Sequence, residues 1–118
     1  MLFAAEGWDE YSQDPERTYN ALTAPGSTTL VALDGAEVAA IIQVQSDGLI
    51  QAHLSAILVG EQWRAAGLGR GLLREGLARA GGIQIDIRTR AESYYRRLGA
   101  TQSAGFRLTR SELDLPTE

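Results

Sequence analysis

A chain of 118 residues with 44% hydrophobic content is long enough for one globular domain with a single core. It has no cysteine and one histidine, which excludes disulfides, a thiolate nucleophile, a cysteine zinc site and a histidine-cluster metal site. The net charge of −4 argues against nucleic acid as a partner, no apolar run is long enough to span a membrane, and the N-terminus lacks the basic and apolar regions of a signal peptide.

A cytoplasmic location is therefore expected. All 11 basic residues are arginine, which reads as composition bias. Up to residue 60 there are eight acids and one arginine; beyond it, seven acids and ten arginines. The positive half suits a polyanionic ligand and the acidic half a cationic one, although scattered solvated charge gives the same pattern.

Residues 2–8 read as a short strand or irregular chain. Asp14-Pro15 is a helix start, with the carboxylate as N-cap and proline at the first helical position. The helix is expected from Pro15 to about Thr23, with Tyr19 and Leu22 on one face, stopped by Pro25-Gly26. Thr28–Leu33 is a strand, Asp34-Gly35 a two-residue hairpin turn, and Ala36–Gln45 the return strand. Ser46-Asp47-Gly48 turns into a long third strand, Leu49–Val59.

The most informative stretch follows. The strand breaks at Gly60, turns through Glu61-Gln62-Trp63, and runs through Arg64-Ala65-Ala66-Gly67-Leu68-Gly69 into a helix. That helix carries Leu68, Leu72, Leu73 and Leu77 on one side and ends at Gly81-Gly82. Glycines at 67 and 69 permit positive φ and close approach. Free N–H groups at a helix start cradle anions, helped by the helix dipole. A dinucleotide fingerprint would need glycine at 72, which is leucine. A tight turn with no ligand remains the alternative.

Ile83–Arg88 alternates as a strand, Ala91–Leu98 is a helix closed by Gly99, and Phe106–Arg110 reads as a last strand. Strand, helix and strand from 54 to 88 imply a parallel crossover.

Arg64-x-x-Gly67-x-Gly69, about five residues after a strand ending in Val59, resembles the acetyl-CoA signature of the Gcn5-related N-acetyltransferases. A second stretch, Arg88-x-x-Ala91-x-x-Tyr94-Tyr95-x-x-Leu98-Gly99, resembles a later motif of the same family, with Ala100 where phenylalanine is usual. The resemblance implies an α/β (α+β) acetyltransferase fold: a mixed, mostly antiparallel sheet with a central parallel pair, flanking helices and an abbreviated N-terminus. It implies that Arg64, Ala65, Ala66, Gly67, Leu68, Gly69 and Arg70 hold the diphosphate of acetyl-CoA, with Arg64 alternatively capping a backbone carbonyl. It implies that Ile57, Leu58 and Val59 pair with the pantetheine arm as an added strand.

The implied reaction is acetyl transfer from acetyl-CoA to a primary amine, small molecule or peptide, without metal, by direct attack in a ternary complex. The alternative is a non-catalytic acyl-CoA-binding module of the same fold. Tyr95 matches the tyrosine that protonates the leaving thiolate; Tyr94 matches an inward-packing aromatic. Ala52-His53-Leu54, with Val59 and Arg64, resembles the strand of serotonin N-acetyltransferases, in which a histidine takes the amine proton through water. The second histidine of that pattern falls on Ser55, and serotonin itself is not implied. Strand alternation would put His53, Ser55, Ile57 and Val59 on one face, with His53 roughly 13 Å from Ile57. A surface or structural role for His53 is the other reading. Trp8, Tyr11 and Trp63 read as core or interface. Family members often pair as two-fold dimers, and a homodimer is the expected assembly, in which the strand Phe106–Arg110 could take part.

Overall fold

The computed structural model describes residues 12–116. The chain divides into two compact units, one up to Ile87 and one from Arg88 on. The expected strand at 2–8, and Trp8 and Tyr11, lie outside the described residues.

The first unit is built on a four-stranded sheet in the order β1-β2-β3-β4. Helix α1, Pro15–Leu22, starts where Asp14 accepts a hydrogen bond from the Arg17 N–H. Its last carbonyls would be orphaned at the helix end. Two are met by the sheet: Thr29 Oγ1 donates to Leu22 O at 2.6 Å and Gln43 Nε2 to Ala21 O at 3.1 Å. Leu22 packs on Ile41, Ala56 and Leu58. Tyr19, expected to share that inward face, is 66% exposed, and Thr18 is the buried residue of the helix. One apolar side chain per turn docks this short helix, and Leu22 fills that role.

β1 (Ser27–Asp34) and β2 (Glu37–Ser46) form the hairpin. Asp34 pairs with Glu37, so the two-residue loop is Gly35-Ala36 rather than Asp34-Gly35. Gly35 has φ +62° while Ala36 is not left-handed, which puts the glycine at the first loop position. β2 is central and buried on both faces from Ala39 to Val44. Ile41 and Gln43 face α1; Ile42 and Val44 face the second helix.

β3 is Gln51–Val59, shorter than expected. Leu49 and Ile50 belong to the turn, where Asp47 Oδ1 accepts from the N–H groups of Leu49 and Ile50, both at 2.7 Å. A carboxylate serving these N–H groups ends the ladder locally, and it lowers the Asp47 pKa. Helix α2, Leu68–Ala80, crosses β1, β2 and β3. Gly76 is its buried residue: a Cβ there would meet Ile42 Cδ1 at 3.2 Å and Val44 Cγ2 at 3.3 Å. Gly81, at φ +79°, ends the helix against the Gly48 backbone. β4, Gln84–Ile87, then pairs parallel to β3 from Gln51↔Gln84 to Leu54↔Ile87.

Among the described residues, the second unit holds one short α-helix, α3, Glu92–Arg97, closed by Gly99 at φ +91°, and a 3-10 turn at Ser111–Leu113. The strand expected at Phe106–Arg110 is not formed; Phe106 is 99% and Leu108 66% exposed. Alternation alone does not make a strand, because its backbone groups need a ladder and this stretch has none.

Candidate acetyl-CoA and acceptor site

β2 and β3 do not pair evenly. Gln43 lies opposite Ala56 and Val44 opposite Leu54, so Ser55 is an extra residue on β3. Such a bulge shifts alternation by one and inverts which side chains face which side. Ala52 and Leu54 share the face of Val44 and α2. After the bulge that face belongs to Ile57, opposite Ile42, and to Val59, opposite Ala40. His53 lies opposite Gln45, on the α1 side. The expected single face of His53, Ser55, Ile57 and Val59 is therefore wrong: His53 and Ile57 point to opposite sides of the sheet. Gln45 Nε2 donates to Ser55 Oγ at 2.6 Å and holds the bulge residue toward the α1 side.

The bulge also lies where β4 stops. The parallel ladder ends at Leu54↔Ile87, and no described strand pairs with Ser55–Val59 on that side. A strand edge with unpaired N–H and C=O groups accepts an extended, amide-bearing chain as an added strand.

The turn after Val59 aims the chain at the next element. Gly60 is buried because the Trp63 ring lies over it; a Cβ would be 2.7 Å from Trp63 Cε3. Trp63 Nε1 donates to Asp34 Oδ2 at 2.8 Å, anchoring this turn to the end of β1. Residues Glu61–Ala66 are a 3-10 helix rather than an open loop. Arg64 Nε donates to Val59 O at 3.1 Å, so the signature arginine caps the strand carbonyl. Only Gly67 leaves helical geometry, at φ +75°; Gly69 lies in the first turn of α2 without positive φ.

Gly67 is the N-cap of α2, and no side chain caps it. The N–H groups of residues 68–70 precede the first helical bond, from Gly71 N to Gly67 O. Apart from its chain neighbours, no described residue comes within 4 Å of a Cβ built on Gly67. Open space, uncapped N–H groups and a helix dipole suit a diphosphate, and the adjacent β3 edge suits a pantetheine amide chain. Arg70 is exposed on the first turn and adds positive charge. Ile57 and Val59 are half-buried, Leu58 is buried under α1, and Ala66 and Leu68 flank Gly67. Ala65 belongs to the 3-10 turn and contributes backbone.

In the second unit, Tyr95 is buried and Tyr94 half-buried, their rings edge to face at 5.1 Å. The sequence expectation had Tyr94 as the inward ring. Burial, with a smaller effect from Tyr94, raises the Tyr95 phenol pKa above its ordinary value. The Tyr95 hydroxyl makes no hydrogen bond to a described residue. Among the described residues no group of acids and histidines could hold a metal ion, and no helix is long and apolar enough to cross a membrane.

This sheet, with its uncapped glycine at a helix start, agrees with a family model, the acetyltransferase (GNAT) domain, which matches residues 3–113. The chain belongs to the GNAT acetyltransferase family. Solved structures agree in fold. A candidate acetyltransferase from Deinococcus radiodurans R1 is 26% identical over 81% of this chain and 69% of its own, with a TM-score of 0.71. A GNAT-family acetyltransferase from Streptococcus pneumoniae TIGR4 is 23% identical over 92% of this chain and 86% of its own, at 0.72. An aminoglycoside 6'-N-acetyltransferase from Acinetobacter haemolyticus, at 14% identity, covers 80% of this chain and 77% of its own at 0.65. No curated protein matches the chain.

In this GNAT domain the structure brings Ile57–Val59, Arg64 and Gly67–Arg70 together along one strand–turn–helix path. His53 stands across the sheet from Ile57, and Tyr95 belongs to the second unit. Sequence reasoning missed the bulge at Ser55, the Gly60–Trp63 stack and the Asp34 anchor. The first two leave no composition signal, and Asp34 reads locally only as a turn residue.

Proposed function

We propose that this domain binds acetyl-CoA along β3 and the start of α2 and transfers the acetyl group to a primary amine by direct attack in a ternary complex. One observation carries the reading: the unpaired β3 edge beyond Leu54 leads into an uncapped glycine N-terminus. The N–H groups of residues 68–70 would hold the diphosphate, and the backbone of Ile57–Val59 would pair with the pantetheine amides.

In the transfer, the amine first gives up a proton. Its lone pair then forms the N–C bond as the thioester C–S bond breaks; the thiolate takes a proton from the general acid, and the acylated nitrogen gives up its second proton, which returns that acid to its starting form. Tyr95 is assigned the second proton transfer, because a phenol is protonated at neutral pH and can donate. His53 is assigned the first, by analogy with the serotonin N-acetyltransferase strand. Its distance and opposite facing require a water chain for that role. The location proposed is cytoplasmic and the acceptor a small-molecule or peptide amine.

Thiol release from acetyl-CoA with and without a panel of amines tests this. Amine-dependent release supports transfer; cofactor binding without release at any amine leaves the acyl-CoA-binding module. Acetyl-CoA should also raise the melting temperature of the wild-type protein by mass action. Gly67→Val, which fills the open space above Gly67, should abolish that rise. An unchanged rise in this variant places the cofactor elsewhere.

A further inference from the structure

Three strands hold the turn that leads to Gly67. Gly60 N–H donates to Ala39 O of β2 at 2.8 Å, and Arg64 Nε donates to Val59 O of β3 at 3.1 Å. Trp63 Nε1 donates to Asp34 Oδ2, at the end of β1, at 2.8 Å. The indole is also seated from below: a Cβ on Gly60 would lie 2.7 Å from its Cε3 and 2.8 Å from its Cζ3. Gly60 itself has φ −58° and ψ 145°, a conformation open to any residue. Glycine is required there by the ring above it and not by the backbone.

The element that the ring holds is weak by itself. Glu61–Ala66 is a 3-10 helix of 6 residues, whereas such runs seldom exceed about three or four because their hydrogen bonds are poorly aligned. No side chain caps its start at Gly60. A 3-10 helix rises about 2.0 Å per residue and an α-helix about 1.5 Å, so relaxing the whole run to α geometry would shift Gly67 by about 3 Å. The N–H groups of residues 68–70 move with Gly67. Hydrogen bonds to phosphate oxygens do not survive a displacement of that size.

We infer that Trp63 and Asp34 are positioning residues for acetyl-CoA: the indole, seated on Gly60 and tied to Asp34, keeps the 3-10 turn extended and so sets where the diphosphate-binding N–H groups stand. The inference rests on the acetyl-transfer reading above and adds to it two residues that act through Gly67 rather than by touching the cofactor. The clamp therefore governs cofactor affinity and leaves the amine and the bond-making step alone.

The test measures coenzyme A binding to the full chain by titration calorimetry, and KM for acetyl-CoA and for the amine by thiol release. Trp63→Phe keeps a ring over Gly60 and removes the donor; Asp34→Ala removes the acceptor. Each should weaken coenzyme A binding, and raise KM for acetyl-CoA, by about five- to tenfold, the worth of one hydrogen bond to a charged group. The double variant should bind no more weakly than either single one, because both remove the same bond. Asp34→Asn keeps an acceptor oxygen and should hold affinity within about twofold of wild type. Gly60→Ala retains both partners but displaces the ring, and its loss should equal or exceed that of Trp63→Phe. KM for the amine should stay within about twofold throughout. A merely structural role would lower the melting temperature and leave affinity, measured well below it, unchanged. That result, or losses that add in the double variant, overturns the inference and leaves acetyl transfer standing. No binding of coenzyme A by the wild-type protein overturns both.

Discussion

Gly76 is the buried residue of α2 and lies against the sheet, and the helix that it seats has Gly67 as its N-cap. We consider Gly76→Leu. The first added atom, Cβ, would already stand 3.2 Å from Ile42 Cδ1 and 3.3 Å from Val44 Cγ2. Ile42 and Val44 are fully buried in the middle of the sheet, so they have nowhere to retreat. Three further carbons force α2 outward or push both side chains off their rotamers. Overpacking of this kind costs about 1–3 kcal/mol. Replacing glycine in a helix interior returns about 0.8–1 kcal/mol. The net loss is up to about 2 kcal/mol, which for a chain of this length lowers the melting temperature by up to roughly 10 °C.

Gly71→Ala is the control. It lies in the same helix, without positive φ, and a Cβ there meets nothing within 4 Å. It should stabilise by about 0.5–1 kcal/mol. Thermal unfolding followed by far-ultraviolet circular dichroism reads both. If Gly76→Leu melts at or above the wild-type temperature, the contact between α2 and the sheet is looser than described and the packing argument fails. The affinity for coenzyme A is the second readout: an outward shift of α2 carries Gly67 with it, so binding should weaken in Gly76→Leu.

Three other expectations follow from single features. Tyr95→Phe keeps the ring and removes the proton, so turnover should fall by roughly 10²-fold with acetyl-CoA affinity nearly kept; Tyr94→Phe should leave turnover almost intact, and equal small losses would reduce Tyr95 to packing. Hydrogen bonds from Ile50 and Leu49 N–H depress the Asp47 pKa in the folded state, so its contribution is present above the unfolded carboxylate pKa and disappears as pH falls through the lower folded value. Asp47→Asn should flatten that acid limb in melting curves taken between about pH 2 and pH 5, and an unchanged limb would assign it to other carboxylates. A homodimer is expected, although Phe106–Arg110 is not a strand in the single chain; light scattering at micromolar concentration checks the assembly, and a monomer mass rules the dimer out.

Local chemistry in the sequence determined the path of the chain. Asp14-Pro15 starts a helix because a carboxylate and a proline suit its first turn. Gly81-Gly82 ends one because both residues take positive φ. The strand–glycine–helix order around Gly67 is legible for the same reason: each step depends on residues a few positions apart. Tertiary structure decided what depends on partners. The Ser55 bulge is a register between two strands, and nothing in QAHLSAILV by itself says which residue is extra. That one residue moved His53 to the face away from Ile57. Trp63 found Asp34 across 29 positions of chain. The converse holds at Phe106–Arg110, whose alternation matches a strand but which has no ladder to complete it. Propensity is a property of neighbours along the chain, whereas register, facing and pairing are properties of neighbours in space.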